Sequence, residues 1–344
     1  MTAHTLLRRL ALFGMLLCLT VVVLGAYVRL SDAGLGCPDW PTCYGHVTPA
    51  GALANTDNAA AQFPGWQLDS GKAWREMIHR YAATTLGLLI VLITALAIVY
   101  RGQGLVRIRF AVALLTTVVV QGLLGAFTVW WLVKPLVVVL HLMGGLGTLA
   151  LLFWLWLDLR KPTWRIAPAA VPAGLAARRA AVLATVMLGI QIVLGGWTSS
   201  NYAATACPDL PTCQNAWWPA GMDWPNAFVL WRGLDVDYTG GVLEHPARVA
   251  IHFAHRLGAL LTTLAVLWAV WLALQATGGA ATTRSTGVRL AAHLAAAAVV
   301  TQIMIGVFMV LEAFPLTLAA GHNGGAAILL LAMLHFIWQL RRAS

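Results

Sequence analysis

The sequence predicts an all-α integral membrane protein, with eight transmembrane helices arranged as two tandem, parallel-related four-helix bundles. Three observations predict this. The 344 residues are 60% hydrophobic and only 10% charged, with a mean hydropathy of +0.78, a membrane rather than a soluble composition. Eight apolar runs are each long enough to cross a hydrocarbon core that needs ~20 residues. One heptapeptide is written twice, as CPDWPTC at 37–43 and as CPDLPTC at 207–213.

In order, the runs cover about 11–30, 74–100, 110–132, 136–157, 180–198, 249–274, 288–311 and 317–340. The first has Arg8 and Arg9 ahead of Leu10–Leu24, as a signal peptide would. No small-residue cleavage site follows, and Ala26–Leu30 continues the apolar run, so it reads as a retained helix. Orientation follows from the basic residues. With the N-terminus inside, the inner segments hold most of them, from Arg8 and Arg9 through Arg101, Arg107, Arg109, Arg160, Lys161, Arg165, Arg178 and Arg179 to Arg284, Arg289, Arg341 and Arg342. The outer segments hold only Lys72, Arg75, Lys134, Arg232 and Arg248. This predicts a multi-pass inner-membrane protein with cytoplasmic termini and with the large loops 31–73 and 199–248 outside. The net charge of +10 then reports topology and anionic headgroups, not a nucleic-acid partner. Loop 214–245, with Trp217, Trp218, Trp224 and Trp231, reads either as an amphipathic cap on the outer surface or as a cover over the second site.

The duplicated heptapeptide sets the register of two halves, 1–170 and 171–344. Gly25-Ala-Tyr-Val28 aligns with Gly195-Gly-Trp-Thr198. Glu76-x-x-His79-Arg80 aligns with His252-x-x-His255-Arg256. Gln121 and Gly125 align with Gln302 and Gly306, and His141 with His322; a glycine pair follows each of these two histidines. Each half holds four runs, an even number, so both start on the same side and form a parallel repeat.

The cysteines Cys37, Cys43, Cys207 and Cys213 fall in the outer loops, where an oxidising compartment permits each pair to close. A simple staple and a redox role both fit; the spacing is not that of a zinc site. Cys18, within the first run, reads as a small buried apolar residue.

His79, His141, His255 and His322 lie on the even-numbered runs, about five to eight residues below the outer end, or very roughly 8–12 Å. Ionisable groups at such depth are costly and usually functional. Within each half the two histidines form a pair suited to the two axial positions of a heme iron. The glycines after His141 and His322 would let a flat macrocycle approach the backbone. His4, His46 and His245 belong to termini or loops, and His293 and His335 have no counterpart. His252, one turn from His255, is at most a propionate-side candidate. Where the second half has His252 the first has Glu76, on the face of His79. A carboxylate there suits proton transfer or stabilisation of developing positive charge. The plainer reading is a glutamate paired with Arg75 or Arg80. Arg80 and Arg256 could meet heme propionates or act as interfacial anchors.

At these residues the chain resembles the heme A synthase family: eight spans in two halves, Glu-x-x-His-Arg, four intramembrane histidines and paired outer cysteines. The resemblance implies conversion of heme O to heme A for terminal oxidases, the C8 methyl becoming a formyl group by successive hydroxylations and dehydration. It implies heme b as cofactor on His255 and His322, heme O as substrate on His79 and His141, and Glu76 as the catalytic residue. It also implies homo-oligomers, contact with heme O synthase and oxidase assembly factors, and a possible electron- or heme-transfer role for Cys37 and Cys43. The competing readings are a diheme b-type electron-transfer cytochrome, which leaves the contrast of Glu76 with His252 unexplained, and a heme transporter, which an even-span repeat disfavours.

Overall fold

The computed structural model describes residues 2–160, 171–234, 236–277 and 283–343. Lys161 and Arg165, used above for orientation, lie outside them, as does the boundary residue 170. Eight long helices carry the fold: α1 (Ala3–Leu30), α2 (Ser70–Val99), α3 (Ile108–Trp130), α4 (Pro135–Leu159), α5 (Val171–Ser200), α6 (His245–Ala276), α7 (Thr283–Leu311) and α8 (Leu316–Ala343). All eight are long and apolar enough to cross a membrane. A helix satisfies its backbone groups internally, which hydrocarbon demands. The chain is a multi-pass membrane protein.

Helix starts follow local chemistry. The Thr2 hydroxyl accepts from the Thr5 amide at 3.3 Å, and Asp69 accepts from the Lys72 amide at 2.9 Å, each satisfying an otherwise orphaned N-terminal donor. Proline opens α4 and lies in the first turn of α6, where its missing N–H costs nothing. Because Asp69 and Glu244 sit at the caps, α2 and α6 begin earlier than their apolar runs do. His79 and His255 therefore lie about a turn deeper in their helices than His141 and His322.

The chain divides into two compact units. The first comprises Met1–Arg160, Ser199–Tyr202 and Val229–Leu243; the second holds the rest. In the first, α1 packs on α2 and α4, and α3 packs on the same two, so the four helices close a ring. In the second, α7 packs on both α6 and α8, and α5 meets α6 through the Thr262 hydroxyl, which donates to the Met187 carbonyl at 3.5 Å.

The two cysteine-bearing loops are folded. In the first unit, short helices at Pro49–Leu53 and Thr56–Gln62 help to build a small core of Cys37, Cys43, Tyr44, Ala52, Ala59, Ala73 and Met77. In the second, Ala206, Cys207, Cys213, Val249 and Phe253 form the smaller equivalent. The tryptophan-rich loop is divided. Its first part stays with the second unit, where Trp218 meets Phe253 edge-on at 5.0 Å. Residues 229–243 belong to the first unit. There the buried Lys134, at the cap of α4, donates to the Gly233 carbonyl. Its ammonium also lies 4.0 Å from the Trp231 ring centre and 5.4 Å from that of Tyr238. Composition marked those tryptophans as interfacial but could not say which unit they serve.

Candidate functional site

The four histidines form two pairs of the same dimensions. The rings of His79, on α2, and His141, on α4, have centroids 6.5 Å apart with planes at 86°. Those of His255, on α6, and His322, on α8, are 6.5 Å apart at 79°. A ligating nitrogen sits about 2 Å from its metal and about 1 Å from its own ring centre, so two opposed axial imidazoles place their centroids about 6 Å apart. Both pairs match that spacing. Among the described residues no three histidine, cysteine or acidic side chains converge as a metal site, so an iron held here would take two protein ligands per site, as heme iron does. The residues present fit the group.

Each ring rests on a glycine of an odd-numbered helix. A Cβ added at Gly25 would meet His79 Cε1 at 2.9 Å, and one at Gly195 would meet His255 Cε1 at 3.0 Å. Gly306 and Gly125 stand likewise against His322 and His141, at 3.1 and 3.4 Å. At Gly25, Gly195 and Gly306 a Cβ would crowd the imidazole, so a residue without a side chain is favoured there, whereas the distance at Gly125 is an ordinary contact. Of the glycines that follow His141 and His322, Gly144 and Gly325 face the side-chain amides of Gln121 and Gln302, while a Cβ at Gly145 would meet nothing nearer than 3.8 Å.

Glu76 is buried, at 4% exposure. Its Oε1 accepts from Arg80 Nη2, and its Oε2 accepts from the main-chain N–H of Cys37 at 2.9 Å. Of the two arginines considered as partners, Arg80 is the one used; Arg75 turns its Nε to the Gly71 carbonyl, at 2.8 Å. The other nitrogen of Arg80, Nη1, donates to the carbonyls of Asp39 and Thr42, at 2.8 and 2.7 Å. Arg80 thus joins the carboxylate to the cysteine loop.

That loop explains most of the repeated heptapeptide. Both cysteine pairs are disulfide-bonded. Asp39 accepts from the amides of Tyr44 and Gly45, at 2.6 and 3.0 Å, and from the Thr42 hydroxyl at 2.5 Å. Asp209 repeats this with the amides of Gln214 and Asn215, at 2.6 and 3.0 Å, and with the Thr212 hydroxyl. The Thr212 hydrogen bond leads the causes that hold the Asp209 carboxyl below its ordinary value, with the two amides adding to it.

In the second unit Arg256 Nη1 donates to the carbonyls of Asp209 and Thr212, at 2.8 and 2.7 Å, and Nη2 donates to that of Cys207 at 2.7 Å. His252, buried at 5% exposure, receives Arg256 Nε on its Nε2 at 3.3 Å. An imidazole thus stands where the first unit has a carboxylate. Of the other histidines, His245 contacts Gln214 and His335 contacts Gln339; neither joins a pair. Cys18 is a free, buried thiol.

One glutamine was missed by the sequence reading. Gln191 Nε2 lies 2.9 Å from His255 Nδ1 and donates to the His255 carbonyl, also at 2.9 Å. Its signal was present: Gln191 precedes Gly195 by the same interval that separates Gln121 from Gly125 and Gln302 from Gly306.

Fold and site define a polytopic helical membrane protein with two matched pairs of histidines within its long apolar helices and two disulfide-closed loops. A family model described as cytochrome oxidase assembly protein, COX15-CtaA, matches residues 8–334. The chain is 40% identical over 324 residues to a heme A synthase of Shewanella oneidensis, covering 93% of each sequence. It is 31% identical over 331 residues to one of Rhodospirillum centenum, covering 90% of this chain and 81% of that one. Against one of Caulobacter vibrioides it is 28% identical over 345 residues, covering 94% and 92%. The chain belongs to the COX15-CtaA family of cytochrome oxidase assembly proteins.

Proposed function

We propose that this chain is an oxidoreductase that converts heme O to heme A for terminal oxidase biogenesis, oxidising the C8 methyl to a formyl group by successive hydroxylations and dehydration. Family membership supports the reaction. The observation that carries the division of labour is that two equivalent histidine pairs have unequal neighbours, Glu76 in one unit and His252 in the other. His79 and His141 hold the heme O substrate. His255 and His322 hold a heme b, which when bound supplies an electron-transfer centre.

Glu76 does the work specific to the first pair. Its carboxylate is oriented by Arg80 and the Cys37 amide, so it is presented to the site without a search over rotamers. It stabilises positive charge or takes a proton from water at the methyl being oxidised. His252 carries no fixed negative charge and cannot do the first of these. Arg80 and Arg256 lie at equivalent positions in the two units and would be the cations to meet heme propionates. The outer disulfides hold the loops above the sites; any electron or heme transfer by Cys37 and Cys43 is part of this proposal. The two sequence halves, 1–170 and 171–344, are the substrate and cofactor domains, in parallel orientation, with the loops on the periplasmic face of the inner membrane and both termini in the cytoplasm. Partners are heme O synthase, oxidase assembly factors and further copies of the chain.

The test is chromatography of extracted hemes after co-expression with a heme O synthase, with and without this chain. Heme A should appear only with it. Two unmodified b hemes and no heme A would instead make the chain an electron-transfer cytochrome.

A further inference from the structure

The four histidines are supported by a single module, repeated, and one copy is incomplete. In three copies an odd-numbered helix supplies a glutamine and, four residues on, the glycine under the ring. The even-numbered helix supplies the histidine and, three residues on, another glycine. A Cβ at that last glycine, Gly144, Gly258 or Gly325, would collide with the amide of Gln121, Gln191 or Gln302 respectively. The glutamine therefore needs the glycine. In the second unit the amides reach their histidines; in the first, the Gln121 side chain lies against Gly144 and leaves His141 Nδ1 without a side-chain partner. Gln191 bridges the ring and main chain of His255, as described above. Gln302 Nε2 donates to the His322 carbonyl at 3.0 Å and lies 3.3 and 3.2 Å from the ring nitrogens Nδ1 and Nε2.

The fourth copy departs at both positions together. Four residues before Gly25 stands Val21, and three residues after His79 stands Ala82. Valine has no side-chain amide, so that only its main chain meets His79, and alanine fills the place an amide would need. His79 keeps its glycine seat but has no glutamine beside it.

We propose that Gln191 and Gln302 are positioning residues that fix His255 and His322 as permanent ligands, and that the first pair, with no amide on either ring and with Val21 and Ala82 closing the place for one beside His79, supplies the exchangeable ligand. This rests on the heme reading above. Outer partners of a ligating histidine fix its ring, and losing one weakens metal binding about 10–100-fold. A site that must admit substrate and discharge product needs one weak ligand; a resident cofactor needs none. The pattern places the weak ligand on α2, one turn from Glu76.

The test uses the full-length protein purified with its hemes after co-expression with heme O synthase. Carbon monoxide reacts with ferrous heme only when an axial ligand leaves, so its binding rate reads ligand exchange independently of turnover. The wild-type protein should show one CO-reactive heme. The double variant Val21→Gln/Ala82→Gly, which completes the fourth module, should slow that reaction at least ~10-fold. The single variant Gln191→Leu should make the second heme CO-reactive, raising its rate ~10-fold or more. Gln191→Leu adds no polar group to the membrane, so it decides the matter if the double variant does not fold. CO rates unchanged within twofold in the folded variants would overturn the assignment. The underlying reading has its own control: a His255→Ala/His322→Ala protein that keeps its full heme content by pyridine hemochrome assay would refute ligation itself, whatever the glutamines do.

Discussion

The two units carry the same cysteine loop, the same arginine on its carbonyls and the same histidine spacing, yet they differ around one ring. Beside His79 stand Glu76, Val21 and Ala82; at the aligned places beside His255 stand His252, Gln191 and Gly258. Every one of these differences loosens or charges the first site and steadies the second. A duplicated scaffold thus keeps the histidine pair and its loop in both copies. On the function proposed above, the few residues that differ are those that separate a substrate site from a cofactor site.

The largest effect expected from breaking that contrast is at the carboxylate. Glu76→Gln keeps an oxygen for the Cys37 amide but removes the charge. Heme A formation should fall ~100-fold or more, with heme content by pyridine hemochrome unchanged. Normal turnover in this variant would end the catalytic assignment.

The disulfides sharpen the comparison. Each closes a sequence separation of 6, for which loop-closure entropy gives about 2 kcal/mol of stabilisation. Cys37→Ser/Cys43→Ser and Cys207→Ser/Cys213→Ser should lower the thermal midpoint similarly. Only the first should also slow turnover beyond its stability loss, because only the first loop donates to a catalytic carboxylate. Equal kinetic effects would show that the Cys37–Glu76 hydrogen bond is not used.

Lys134 distinguishes the units in another way, since its aromatic and carbonyl contacts bind residues 229–243 into the first. Lys134→Met retains the aliphatic stem and removes the charge. A partly desolvated cation–π contact contributes ~1–2 kcal/mol, so proteolysis within 229–243 should quicken about tenfold, while cleavage in loop 31–73 stays the same.

The smallest effect is an acid one. The folded Asp209 carboxyl lies below its ordinary 3.8. Its stabilisation is therefore fully present above that value and is lost as pH falls through the lower folded value. The thermal midpoint of Asp209→Asn should sit below wild type at neutral pH, and the gap should close on acidification below about pH 4. A gap that persists in acid would mean that shape, and not charge, holds the loop.

Much of the site was legible because the chain repeats itself. The alignment picked out His79, His141, His255 and His322, and singled out Glu76 against His252. Between the two arginines, helix spacing already favours Arg80, four residues on from Glu76, over the adjacent Arg75, and the loop carbonyls then hold Arg80 in place. The role of Gln191 was missed because its partner lies 64 residues away. That Gly144 and Gly325 face glutamine amides was not legible either, because a gap in sequence does not say what lies against it.

By itself the sequence determined the eight helices, since a backbone in hydrocarbon has few other ways to satisfy its hydrogen bonds, and the periodic places where a costly polar side chain was retained. Only the tertiary structure decided which glycine receives a ring and which an amide, and which unit takes the loop at 229–243. Those choices depend on contacts between distant segments at distances of a few ångströms, and local composition does not encode them.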